Sequence, residues 1–548
     1  MSLIDALLLD PAPFEVWIAF RGQKGTGTLN DPYGADTTAK FDAVMNSVAA
    51  MAMPNTLVHL GPGTFTTAGY TDSAPSAGWQ IQPGMKIVGA GIGATTLKLD
   101  GPSGTNAHFF AIAHRLNDGA GTPSSTPVSL AHVADLTIDC NLPNTTDTVA
   151  CGAIRLMGDH VRIRNVRAIN WGSRSSIQPC FVFSLITGDR SAGISAPLDA
   201  GMEACIADIP SANNTGNIFV LHAGGNGYSA VVPEAFGQVP FIRNCYVDGG
   251  STALTANIRG LSMNWCKGGV VEGNQVQNIQ IGGPYIENAT CRDLIVRGNT
   301  YKNVNRGPHF KVGTQSAPSS VSLSALIRDT TYDSSGKTAL ATTSASDHGL
   351  VAGDRVKITE GTGTPSQYFG VFVIKNVPAL NQFRYVMDSN PGSNPSTPLP
   401  KWQKLFGLAN LLVENNVIEL APATSGDVIA IHIDDTKSDG ATTLDTPDYD
   451  CLEAIIRENR IRYFNGQFES SYVGTGVKLS GVKNVMMQNN VLEIAPVNPL
   501  KDFRCGTVNY FNNKTPAGAL IQGLNGLDTT KYSELETEAE DALVLTLL

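Results

Sequence analysis

Glu287, His309, Lys311, His432, Asp434 and Asp435 are the side chains of this sequence best suited to acid–base chemistry. They fall in three short strand-like segments, PYIENATC, PHFKVG and VIAIHIDDT. Glu287 with Asp434 or Asp435 would supply the two carboxyl groups that hydrolyse a glycosidic bond, spaced about 5–5.5 Å for retention or about 6.5–9.5 Å for inversion. His309, Lys311 or His432 would instead supply the base that removes a proton beside a carboxylate, with a neighbouring cation to stabilise the charge that develops. The plainer alternative is that all six are solvated groove side chains.

What must position them is a repeat. An apolar residue is followed three and five positions later by others, and eight positions later by Asn. The clearest copies end at Asn141, Asn274, Asn299, Asn416, Asn459, Asn490 and Asn513, and looser ones place Val166 and Cys245 in the Asn position. Alternating apolar positions closed by a turn residue, without a helical period, predict stacked rungs of a β-solenoid. Equivalent positions then form ladders about 4.8 Å apart. The Asn column fits a sharp turn, since Asn tolerates the left-handed conformation and its amide can bond to the next rung. Cys266, Cys291, Cys451 and Cys505 share one frame position with Leu408 and Val482, and so read as small buried hydrophobes. The position before the turn runs Arg243, Glu272, Arg297, Glu414, Arg457, an alternation of sign that fits a solvated charge ladder. The strand ahead of the frame supplies the column holding the six residues above, with Arg155, Ser262 or Asn264, and Lys478 in neighbouring rungs.

The segment GTGT–NDPYGADTTAKFDAVM, followed by LVHLGPGTF and IVGAGIGATTLKL, resembles the start of pectin-lyase-like right-handed parallel β-helix proteins. That superfamily includes polysaccharide lyases, glycoside hydrolases, epimerases and bacteriophage tailspikes. The resemblance implies an all-β, right-handed parallel β-helix; because one scaffold hosts many functions, it does not choose among them. HIDDTK resembles the paired Asp of polygalacturonases, but the Asn-Thr-Asp, Gly-His-Gly and Arg-Ile-Lys motifs are missing, as is the Asp-rich calcium cluster of pectate lyases. Asp434, Asp435 and Asp439 could bind calcium in a loop. Trp171, Tyr228, Trp265, Tyr285 and Tyr472 could stack on sugar rings or simply pack.

The expected organisation is a capping and entry module (1–100) with a helix over Thr38–Ala52, β-helix (101–314), an inserted small β-barrel (315–402), more β-helix (403–515) and a C-terminal tail or helix (516–548). The insert explains the 117-residue gap between Asn299 and Asn416. Its HGLVAGDRVKI, YFGVFVI and FRYVM pieces resemble a small barrel domain of phage tail and other virion-associated proteins.

A net charge of −10 argues against general nucleic-acid binding. No run approaches the roughly 20 apolar residues of a membrane span, and the first residues are a poor secretory signal. Nine cysteines, several in the interior frame, imply no disulfide framework. The expectation is a virion or extracellular protein with a polysaccharide partner, of the tailspike kind, its acidic tail suited to contacts within a homotrimer or with virion proteins. The rivals are a free polysaccharide lyase or glycoside hydrolase, and a non-catalytic structural or adhesin β-helix.

Overall fold

The computed structural model describes residues 14–514 apart from 52, 54, 72–78, 80, 115–126, 146, 176–179, 187–197, 209, 211–217, 225–236, 251–257, 288–290, 313–320, 345–347, 349, 360–363, 406, 424–427, 436–450, 465–471, 473, 494–499, 504 and 506. The expected C-terminal helix, Asp439 and Tyr228 therefore lie outside the described residues.

One rung shows how the repeat builds the shaft. Strand Ile258–Asn264 turns at Trp265, which is left-handed, into Cys266–Lys267 and then Val270–Glu272. Gly273 makes the next left-handed turn, and Gln275–Ile281 leads back to Tyr285–Glu287, one rung on. Each strand pairs in parallel with its counterpart, as Val270–Glu272 does with Ile295–Arg297. The protein is a parallel β-helix. The inward residues, among them Val271, Val276, Ile286, Val296 and Phe310, form one continuous apolar core with Cys266, Cys291 and Cys451. The lower end is closed by helix Thr38–Ala50, capped by the Thr37 hydroxyl and burying Phe41, Met45 and Val48. An end rung without a neighbour needs such a cover.

The Asn column is an amide ladder. Each side-chain amide of Asn274, Asn299, Asn416, Asn459 and Asn490 donates to the side-chain oxygen of the next, at 2.8–3.0 Å. The same oxygens accept the backbone N–H of the rung below. The left-handed residue is the one before the column, at Gly273, Gly298, Asn415, Glu458, Asn489 and Asn512. This corrects the expectation for all but Asn141, which is itself left-handed. The column Asn is selected for its amide, and the turn conformation falls to its predecessor.

The charge ladder is continuous. Arg164, Glu203, Arg243, Glu272, Arg297, Glu414, Arg457 and Gln488 are successive register partners. Ion pairs join Arg297 to Glu272 at 2.8 Å and Arg457 to Glu414 at 2.6 Å. Glu203 is the link that the sequence frame did not reveal.

The insert is a closed six-stranded antiparallel barrel, in the order Val321–Arg328, Thr338–Thr343, Gln382–Val386, Gly370–Ala379, Arg355–Thr359, Lys401–Leu405. It has its own core around Tyr368, Phe383, Tyr385 and Trp402. Its last strand runs past residue 402, the expected end of the insert. The shaft's register survives the excursion, since Cys291 pairs with Leu408 and Arg297 with Glu414.

Candidate functional site

Ala113, Arg155, Ser184, His222, Ser262, Tyr285, His309, His432, Lys478 and Lys501 are successive register partners along one face. At about 4.8 Å per rung, this column runs about 43 Å. Chain neighbours Ile286, Phe310, Ile431 and Ile433 lie in the core, so alternation sends the His309 and His432 rings to the outer side.

Glu287, Lys311 and Asp434 form a second row, two positions further along the same strands. The structure thus brings the expected residues together in two adjacent rows, one with the histidines and one with the carboxylates and lysine. Asp435 is the exception. It pairs with Val312 at the opposite parity, at the end of its strand, and so does not share the row. Glu287 and Asp434 are two rungs apart, about 9.6 Å between Cα atoms, with Lys311 in register between them.

Aromatic rings continue along the face. Phe181 stacks on Phe219 at 5.1 Å, Tyr285 meets His309 edge-on at 5.3 Å, and His309 stacks on His432 at 4.6 Å and 10°. The Arg259 guanidinium lies over both the Phe219 and Tyr285 rings, at 4.8 and 4.7 Å, a favourable cation–π placement. Arg155, Arg259, Arg306, Lys311 and Lys478 are half-buried, while both His309 and His432 are only 2% exposed.

Burial is the first reason that His222 is held down to about 4 and His432 to about 3. Arg155 adds to it at His222, and Lys478 and Arg306 at His432. His309 is pushed well below the ordinary value by burial, then by His432, Arg306 and Lys311. All three are neutral at pH 7. Arg306 Nη1 donates to His309 Nδ1 at 3.4 Å; a guanidinium can only donate, so the ring proton sits on Nε2. That buried Nε2–H has no hydrogen-bond partner among the described residues, and neither has the Ser184 hydroxyl, 1% exposed. His222 Nδ1 lies 3.2 Å from the Ser262 hydroxyl, which donates to the Tyr285 carbonyl. The face can therefore offer hydrogen-bond donors, ring faces and cations to an oxygen-rich, anionic ligand.

The sequence frame missed Ser184, His222, Arg259 and Arg306. The first two lie where long connections break the repeat spacing, and the arginines stand at other positions of the rung. Of the aromatics expected to stack on sugar, Tyr285 is on the face, whereas Trp171 and Trp265 are core residues and Tyr472 packs against the core. Among the described residues no group of three or more His, Cys, Asp or Glu could hold a metal ion.

No family model matches the sequence, and no curated protein matches it. Several solved structures are similar. The A-module of the mannuronan C-5 epimerase AlgE4 of Azotobacter vinelandii is 12% identical, covering 93% of this chain and 100% of that one, with a TM-score of 0.36. PfbA, a surface adhesin of Streptococcus pneumoniae, is 9% identical over 89% of this chain and 92% of that one, at 0.41. WceF of Pantoea stewartii, a glycan biofilm modifying enzyme with a bacteriophage tailspike-like parallel β-helix fold, is 12% identical over 67% and 58%, at 0.30. The likeness is one of fold.

Proposed function

We propose that this chain binds a surface polysaccharide along the Arg155–Lys478 face, as the shaft of a tailspike-like virion protein. The observation that carries the reading is the buried, partnerless Nε2–H of His309, set in a continuous run of rings and cations. Buried polar atoms ordinarily have partners, and a glycan oxygen would supply one. Ring faces suit pyranose C–H surfaces, and the half-buried cations suit carboxylate substituents.

Binding is favoured over hydrolysis because the described side chains of this face are neutral imidazoles, aromatic rings and cations, whereas glycoside hydrolysis turns on a pair of carboxyl groups, one of them protonated. Cleavage remains the second reading, favoured by the closeness of Glu287, His309, Lys311, His432 and Asp434 in neighbouring rungs. In that reading, elimination with His432 as base and Lys311 or Arg306 beside the developing charge fits better than a carboxyl pair.

The test is binding of purified acidic and neutral bacterial surface polysaccharides, by calorimetry, to the wild type and to Arg259→Ala and His309→Gln. An acidic glycan is expected to bind, and each variant to lose at least tenfold in affinity while keeping its circular dichroism. Glycan binding undiminished in both variants, or no glycan bound at all, would sink the proposal. Products with new reducing ends or unsaturated sugars would shift the reading to cleavage. A trimer that survives detergent without heating is expected of the tailspike arrangement; a monomer would remove that part and leave the glycan face.

A further inference from the structure

One outward column of the shaft stays apolar for six rungs. Phe241, Val270, Ile295, Leu412, Ile455 and Met486 are successive register partners, a stripe about 24 Å long. Chain neighbours such as Ile242, Val271, Val296 and Val413 lie in the core, so alternation turns the stripe outward. None of the six belongs to that core, and Val270, Ile295, Leu412, Ile455 and Met486 are only half-buried. The stripe has defined ends, with Gly201 and then Arg162 below it and Asn509 above it. Strand propensity alone does not explain it, because the outward column of the next sheet is mixed, reading Tyr246, Gln275, Thr300, Val417, Arg460 and Val491.

Val239, two residues before Phe241, adds an observation of another kind. It is 47% exposed and left-handed, with φ at 53°. The rungs above fill the same corner with Gly268, Asp293 and Asn410, which take that conformation readily. A β-branched residue is strained there, and burial under a partner would offset the strain where exposure to water does not. Polar rims flank the stripe. Gly268, Asp293, Asn410, Glu453 and Asn484 form one, and the charge ladder from Glu272 to Gln488 forms the other. An apolar centre inside a polar rim is the anatomy of a protein–protein contact. When two copies meet about an axis along the shaft, the first rim of one faces the ladder of the other at the same level. Asp293 then meets Arg297 and Glu453 meets Arg457, while Gly268, Asn410 and Asn484 lie opposite Glu272, Glu414 and Gln488. No two like charges come together. Arg297 and Arg457 are already ion-paired within their own ladder, so the rims fix the level and the stripe supplies the affinity.

We propose that this stripe is the seam along which a second copy of the chain packs, the two copies running parallel and level. The barrel sets the direction. It joins the shaft mid-stripe, on the rim of Asp293 and Asn410, where Arg292 pairs with Asp354 of the barrel and the chain returns at Leu408–Ala409. A two-fold axis across the shaft would bring both barrels onto that rim at one level, competing for the same space. An axis along the shaft sends them to opposite sides. The same seam closes a pair or a ring of three, and it does not depend on the glycan face.

The experiment is sedimentation velocity of the full chain over a range of concentrations, for wild type, Ile295→Lys and Leu412→Glu, with circular dichroism as the check on folding. Wild type is expected to assemble, and each variant to need at least a tenfold higher concentration to do so. The second measurement is cross-linking of Met486→Cys with diamide, which takes up the two thiol hydrogens as the disulfide forms. Parallel, level copies place the introduced thiols together, so a covalent dimer is expected. An antiparallel pair would hold them about 24 Å apart, and an assembled protein that gives no cross-link would overturn the arrangement. Wild type is the control, its native Cys505 being half-buried. Assembly undiminished in both charged variants would overturn the seam and leave any trimer to another surface. A monomeric wild type would overturn it as well, and a Met486→Cys thiol that then resists alkylation would assign the stripe to the chain's own tail. Arg259→Ala is expected to assemble like wild type, so the seam and the glycan face fail separately.

Discussion

Acidification from pH 7 to pH 4.5 is expected to destabilise this protein well before its carboxylates titrate. His108, His114, His222 and His432 are buried, and burial is the main cause holding them to about 3, 4, 4 and 3. Arg155 lowers the first three further, and Lys478 and Arg306 the last. His309 is displaced in the same direction. In the unfolded chain these imidazoles protonate near 6.5. The unfolded state therefore takes up protons first, so stability is complete above pH 6.5 and falls as the pH drops toward 4. One imidazole displaced from 6.5 to about 4 contributes roughly 3 kcal/mol across that window. Stacked neighbours such as His309 and His432 do not add independently, but the total is still several kcal/mol. Urea midpoints measured every half pH unit would show the decline starting near pH 6.5, and His432→Gln would make it shallower. A curve flat to pH 5 that breaks only in the carboxylate range would contradict this account.

Asn416→Ala is expected to be the most damaging single substitution in the shaft. Asn416 is 1% exposed and lies mid-ladder. Its side-chain oxygen accepts the Asn299 backbone N–H and amide, both at 3.0 Å. Its amide donates to Asn459 at 2.9 Å and to the Val296 carbonyl at 3.1 Å. Alanine leaves two buried donors on Asn299 without an acceptor, at roughly 1–3 kcal/mol each, so a loss of about 3–5 kcal/mol is expected. Denaturant unfolding of wild type and variant tests this. An Asn416→Ala loss below about 1 kcal/mol would mean that the ladder does not carry the stack.

Much of this architecture is legible in the sequence because stacking converts vertical contacts into horizontal periods. An amide that must meet an amide one rung away forces Asn to recur, and an ion-paired column forces Arg and Glu to alternate. The barrel is visible for the converse reason: Asn299 and Asn416 remain partners, so the residues between them had to leave the stack. The site is less legible. Register placed Glu287, Lys311 and Asp434 in one row, as strand counting suggests, but a one-residue difference in parity removes Asp435. His222 and Ser184 belong to rungs whose connections vary in length and carry no period. Arg259 and Arg306 reach the face by side-chain length, which no spacing rule records. The left-handed turn residues escaped notice because Gly, Asn and Glu share that position.

The barrel's two attachment points have a further meaning. The chain leaves the shaft after strand His309–Val312 and returns at Leu408–Ala409, one rung above Cys291–Arg292. The repeat is addressed by its columns, not by the distance travelled between them, and closing a longer loop costs only a logarithmic amount of entropy. That corner is in effect a socket. Whatever folds independently and presents its two ends side by side can be mounted there, or removed, without renumbering a single ladder. A long-lived shaft could in this way exchange its appendages while the face beside them, with His309 and His432, stays unchanged.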